Sequence, residues 1–176
     1  MIAPDTSNWH IRLARPEDAL AMPAIERAAG AMFARIEGFE WVAGQEPVPV
    51  DRLRRYIARG HCLVTTAGDT LVGFIATEPF GRELHIRELD VHPGWQGRGL
   101  GAALLRACFI DAGNTGFAAI TLTTFAEVPW NAPFYRRMGF RDVAGTDHPR
   151  LAAELEREAA HGMPPGSRVG MIRELT

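Results

Sequence analysis

Leu84-His85-Ile86-Arg87-Glu88-Leu89-Asp90-Val91-His92-Pro93-Gly94-Trp95-Gln96-Gly97-Arg98-Gly99-Leu100-Gly101 is the stretch whose reading decides the fold of this chain. It reads as a strand over residues 84–92, a Pro-Gly turn, a glycine loop and the start of a helix over residues 98–112. Such a loop aims backbone N–H groups and the positive end of a helix at one point, which suits a phosphate without many basic side chains. Each glycine removes a Cβ that would block an anion's approach. The strand itself changes phase. Leu84 and Ile86 are apolar at even positions, Leu89 and Val91 at odd ones. A regular strand with one buried face cannot do that, so a β-bulge near Arg87-Glu88 is expected. A strand buried on both faces is the alternative.

Outward from this stretch the pattern is α+β. A strand at residues 10–14 precedes a helix opened by Pro16-Glu17-Asp18 and running to about Gly30. Residues 31–49 read as irregular, with Gly38, Gly44, Pro47 and Pro49, yet they hold Phe33, Phe39 and Trp41. These rings fit either an acceptor pocket or ordinary core. Asp51 is expected to cap a short basic helix to residue 59. A hairpin turns about Ala67-Gly68-Asp69. Residues 118–125 form a β-branched strand, and residues 84–125 thus make one strand–helix–strand crossover. A short helix at 131–138 ends at Gly139. Then follow a strand at 140–144, a helix at 150–161 and a last strand at 168–175. Glu154, Glu156 and Glu158 read as a solvated helix face.

Composition narrows the function. The 176 residues suit one domain with a sizeable core, here residues 1–176. A net charge of −2 with no basic run argues against nucleic acid. Arginine supplies all the strong basic groups, and lysine is absent. Abundant alanine and arginine suit a GC-rich, bacterial genome. Cys62 and Cys108 sit in apolar runs and read as buried free thiols of a reducing cytoplasm. No signal sequence or bilayer-length apolar run is visible, so neither membrane nor export is expected.

Gly97-x-Gly99-x-x-Ala102 also fits a loose dinucleotide pattern. Residues 92–96 intervene between strand and glycine, however, and Thr121-Leu122-Thr123 stand where a ribose-binding acid belongs. A nucleoside triphosphate loop needs a lysine this chain lacks.

The residues match another pattern more closely. Gln96-x-x-Gly99-x-Gly101 after Leu89-Asp90-Val91-His92-Pro93 resembles the acetyl-CoA loop of the GNAT N-acetyltransferase superfamily. Trp130-Asn131-Ala132-Pro133-Phe134-Tyr135-Arg136-Arg137-Met138-Gly139-Phe140 resembles its Asn-x-x-x-Tyr helix followed by Gly-Phe. Ile11-Arg12-Leu13-Ala14-Arg15-Pro16-Glu17-Asp18 resembles its opening. Together these cover most of residues 9–145; the last helix and strand, 146–176, are less typical.

The resemblance implies a mostly antiparallel mixed sheet with splayed strands, flanked by helices. It implies acetyl-CoA as cosubstrate and no metal. The backbone of Leu89, Asp90 and Val91 would hold the pantetheine arm. Gln96, Gly97, Arg98, Gly99, Leu100, Gly101 and Ala102 would hold the pyrophosphate, with Asn131 and Phe134 adding contacts. Arg98 can equally be an exposed arginine, and Asn131 a helix cap. The resemblance makes Tyr135 the proton donor to the leaving sulfur. A phenol, with an ordinary pKa of about 10, is protonated at neutral pH. Glu88 at the inferred bulge is the first choice of base; a water chain and His85 are the others. The expected reaction is acetyl transfer to a primary amine of a small molecule or peptide N-terminus. A non-catalytic CoA- or acyl-CoA-binding module is the competing reading. A homodimer is compatible with the superfamily.

Overall fold

The computed structural model describes residues 8–175. Among the described residues are seven strands, β1 (Trp9–Leu13), β2 (Leu63–Ala67), β3 (Thr70–Phe80), β4 (Glu83–Val91), β5 (Ala119–Phe125), β6 (Arg141–Val143) and β7 (Arg168–Glu174), with five α-helices, α1 (Met22–Gly30), α2 (Val50–Ala58), α3 (Leu100–Asn114), α4 (Ala132–Arg137) and α5 (Pro149–Ala160). The strand order is β1-β2-β3-β4-β5-β7-β6. The β1/β2, β2/β3, β5/β7 and β6/β7 pairs are antiparallel, whereas β4/β5 is parallel, as the crossover through α3 requires.

Packing divides the chain into two units. The first runs to Glu78 and resumes at Arg87–Asp111; the second joins Pro79–Ile86 to the chain from Ala112 onward. β4 contributes to both. In the first unit, Met22 and Ile25 of α1, Leu53 and Ile57 of α2, Val64 of β2 and Phe74 of β3 form one buried cluster. In the second, Ile120 and Leu122 of β5, Leu151 of α5 and Met171 of β7 are buried. Gly170 lets α5 approach, since a Cβ there would lie 3.3 Å from that of Leu151.

The pairing of β4 with β5 covers Glu83–Ile86 and ends at Ile86↔Leu122. This is the place where the apolar phase changes. Leu84, His85 and Ile86 are all buried, so the first half of β4 is covered on both faces. Residues 87–91 are each half-buried. The surroundings of the strand therefore change where the apolar phase does. A register shift occurs in β2, between Thr65 and Thr66.

Several local expectations are corrected. The helix expected from Pro16 to Gly30 is broken into a 3₁₀ turn, Pro16–Leu20, and α1. Pro23 lacks the N–H that would continue the first turn and disfavours helical backbone before it, so α1 starts afresh. Asp51 does not cap α2; Pro49 occupies the cap and Asp51 lies in the first turn, where the helix dipole still favours its charge. The "irregular" residues 31–49 contain two 3₁₀ turns, Ala31–Arg35 and Glu40–Gly44. Asn131 stands at the cap position of α4 without a side-chain cap bond.

The acidic face of α5 is not simply solvated. Glu154 is buried and pairs with Arg157. Glu158 accepts hydrogen bonds from Thr123 Oγ1 of β5 at 2.5 Å and Arg168 Nε of β7 at 2.9 Å. The partners lie on strands remote in sequence, and they turn a charge run into an anchor. Cys62 and Cys108 are free and buried, and burial pushes their thiols up to about 11 and about 12. Among the described residues no helix is long and apolar enough to cross a membrane.

Candidate active site

In the first unit the end of β4 leads into a 3₁₀ turn, Pro93–Trp95, capped by His92, whose Nδ1 accepts the Gly94 N–H at 3.1 Å. Gly97 and Gly99 follow with φ of +74° and +80°. This left-handed backbone is where glycine is needed. The Gly99 carbonyl accepts the Ala103 N–H at 2.9 Å and so opens α3. The N–H groups of Leu100, Gly101 and Ala102 then have no partner within the helix. No acidic side chain lies in that first turn to offset the dipole. The space a Cβ would occupy at Gly97 or Gly99 is open for 4 Å around. The loop is therefore sterically open on the side of its glycines.

Side chains around the loop stiffen it. Gln96 Nε2 donates to the Val91 carbonyl at 2.9 Å, tying the loop to β4. Arg98 folds back over the Trp95 ring, 4.7 Å from its centroid, and donates to the Gly94 carbonyl. Val91 faces α3: its Cγ2 would lie 3.9 Å from a Cβ on Gly101. The Asp90 carbonyl sits 3.2 Å from the position of a Gly73 Cβ, so it is turned toward β3.

Glu88 is half-buried on β4. Its neighbourhood is visible through Tyr56 of α2. Burial raises the Tyr56 hydroxyl pKa, and the charges of Glu78 and Glu88 raise it further against Arg87 and Arg52. Arg87 is held by Glu78 at 2.7 Å. Phe33 and Phe39 pack with ring centroids 6.5 Å apart, and Phe33 is buried. Trp41 Nε1 donates to the Gly38 carbonyl.

In the second unit, Tyr135 is buried on α4 between Phe134 and Phe140, with ring centroids at 5.2 and 5.6 Å in edge arrangements. Its N–H donates to the Asn131 carbonyl at 3.1 Å, so the two residues share one turn. Asn131 Oδ1 is buried with no hydrogen-bond partner among the described residues. Gly139, with φ +89°, ends the helix. His85 is 1% exposed, with Nδ1 2.9 Å from Thr121 Oγ1. Arg150 donates to that same hydroxyl and to Glu83, and Glu83 also meets His148 Nε2 at 2.8 Å. His85 thus belongs to a buried polar cluster rather than to a solvent-reachable proton path.

A family model described as "Acetyltransferase (GNAT) domain" matches residues 58–142, which include the loop, α3 and α4. Over these residues the chain is similar to the GNAT acetyltransferase superfamily. It is 29% identical over 132 residues to the N-alpha-acetyltransferase RimI of Mycobacterium tuberculosis strain H37Rv, covering 72% of this chain and 81% of that one. Its fold is that of PaiA N-acetyltransferase from Thermoplasma acidophilum, solved in complex with coenzyme A, with a TM-score of 0.72 at 19% identity over 95% of this chain and 99% of the other. A similar likeness holds for the ribosomal-protein-S18-alanine N-acetyltransferase of Escherichia coli, with a TM-score of 0.68 at 17% identity over 96% and 95%.

The glycine loop by itself fits the pyrophosphate of such a cosubstrate, since it offers backbone donors with no Cβ in the way. Sequence reasoning missed Glu26 of α1, whose carboxylate Oε2 accepts the Val48 N–H at 2.9 Å. A signal existed: Met22, Ile25, Glu26 and Ala29 fall on one helical face, so Glu26 is a charge within the apolar stripe.

Proposed function

We propose that this chain is a GNAT acetyltransferase that moves an acetyl group from acetyl-CoA to a primary amine by direct attack. The observation that carries the reading is the loop of two left-handed glycines between β4 and the uncompensated N-terminus of α3. It suits a pyrophosphate, with Gln96 to Ala102 supplying the donors. Leu89, Asp90 and Val91 offer strand backbone to the pantetheine arm, and Asn131 and Phe134 add polar and apolar contacts from α4. The cosubstrate supplies a thioester carbonyl carbon.

The chain's own groups then manage protons. Tyr135 gives its phenolic proton to the departing sulfur, and its aromatic packing fixes the ring for that purpose. Glu88 is one of the acids on this face of β4 able to take a proton from the amine. The relatives named as acting on protein N-termini support a peptide α-amine as acceptor, and a small-molecule amine is the other class. The chain has no lysine of its own to acetylate, so any acetylated side-chain amine in an assay is substrate.

Acetyl-CoA binding is measured by calorimetry, followed by release of free CoA thiol with a panel of amines and peptides with free N-termini. Binding and amine-dependent thiol release are expected. Binding without turnover across the panel identifies a CoA-binding module instead. No binding overturns the reading.

A further inference from the structure

We propose that Glu26 of α1 and Asp90 of β4 act as one carboxyl pair that binds the acceptor's ammonium group and takes its proton. The inference rests on the acetyl-transfer reading above and names the acceptor side of that site. It starts from strand geometry. Neighbouring side chains on a strand point to opposite faces. Val91 faces Gly101 of α3, so Asp90 faces the other way, and Glu88, two residues back, shares the Asp90 face. α2 and α1 bring their polar groups to these acids, since Tyr56 feels Glu88 and Asp90 feels Glu26.

Asp90 Oδ2 is buried and has no hydrogen-bond partner among the described residues. An ionised carboxylate left so is strongly unfavourable unless a proton or a cation satisfies it. Glu26 is fixed beside the buried apolar residues Met22 and Ile25 by the Val48 N–H. Burial pushes Asp90 up to about 7, and the Glu26 charge adds to this. Burial likewise pushes Glu26 up to about 7, against the Val48 N–H and Arg27. Arg27 itself is exposed and pairs with Glu46 at 3.6 Å.

An ammonium group fits this deficit. It carries one positive charge and three donors. A divalent cation fits less well, because it needs more oxygen ligands than two carboxylates provide, and no cluster of three or more metal-binding side chains occurs among the described residues. The proton balance is complete. The ammonium gives one proton to a carboxylate of the pair, leaving a neutral amine. Its lone pair forms the C–N bond to the thioester carbonyl, and the C–S bond breaks with its electrons on sulfur. Nitrogen loses its second proton, sulfur gains one, and the carboxyl returns its proton to water. One proton is released per turnover.

The test has two arms. In the first, the carboxyl resonances of Asp90 and Glu26 are titrated by ¹³C NMR, with and without ethylamine and without acetyl-CoA. Ethylammonium is expected to move their titration to lower pH. An unmoved titration overturns the proposal whether or not the protein turns over.

In the second arm, kcat/KM for a reactive amine is followed against pH. It is expected to rise through about pH 7. Asp90→Asn is expected to lower it at least 100-fold, within the usual range of general-base effects, with coenzyme A affinity unchanged. Glu26→Gln keeps an acceptor for Val48 but removes a negative charge, so the rise is expected at lower pH. Normal kcat/KM in Asp90→Asn, or an unmoved profile in Glu26→Gln, overturns the proposal. Absence of acetyl-CoA binding by the wild-type protein overturns the acetyl-transfer reading instead.

Discussion

Replacing Gly99 by valine tests the anion site most directly. Gly99 has φ +80°, a region where a β-branched residue is a genuine outlier. Holding an ordinary residue there costs about 1–2 kcal/mol. Nothing lies within 4 Å of the Cβ position, so crowding by the protein adds nothing. The whole penalty falls on the loop's conformation. A loop that relaxes in the free protein must be restored when the ligand binds, which weakens binding by about 5- to 30-fold. The new side chain also stands where the phosphate must approach, and at least tenfold is expected overall. The assay is calorimetric titration with coenzyme A, with urea unfolding to confirm the fold. Gly113→Ala is the control: it lies in α3 with open space at its Cβ and no positive φ, and affinity is expected to stay at the wild-type value. A folded Gly99→Val protein binding within twofold of wild type would refute the reasoning.

Other substitutions probe the remaining groups. Tyr135→Phe keeps the packing against Phe134 and Phe140 but removes the proton donor, so kcat is expected to fall about 10- to 100-fold with unchanged coenzyme A affinity; full kcat would assign the proton to water or another group. Gly139→Ala puts a Cβ 1.8 Å from Arg173 Nη1 at φ +89°, which displaces the 2.8 Å bond from Arg173 to the Met138 carbonyl; left-handed strain plus a lost charged hydrogen bond predict about 2–4 kcal/mol less stability by urea unfolding. Asp90→Asn makes stability less sensitive to pH. With its folded pKa raised to about 7 against about 3.9 in the unfolded chain, wild-type Asp90 loses stability as pH rises between those values, by up to about 4 kcal/mol. The variant is therefore expected to gain on wild type between pH 4 and pH 8, and parallel stability curves would contradict the buried acid.

What the sequence determined by itself was local. The glycine loop after β4, the hairpin about Gly68, the end of α4 at Gly139 and the apolar face of α3 are written in neighbouring residues, because backbone freedom and helical spacing act over a few positions. The resemblance to the superfamily was legible for the same reason, since its motifs are short segments in a fixed order. Local chemistry also misled where a longer-range partner decided the outcome. Glu158 looks like part of a solvated face until β5 and β7 supply Thr123 and Arg168. Asp51 looks like a cap until Pro49 takes that position. His85 looks like a strand base until Thr121 and Arg150 enclose it. Glu26 and Asp90 are the extreme case. Each sits in a segment that reads as ordinary amphipathic helix or strand, and only the packing of α1 in the first unit makes them neighbours. Burial and mutual repulsion are properties of that packing, so the chemistry of the pair belongs to the tertiary structure alone.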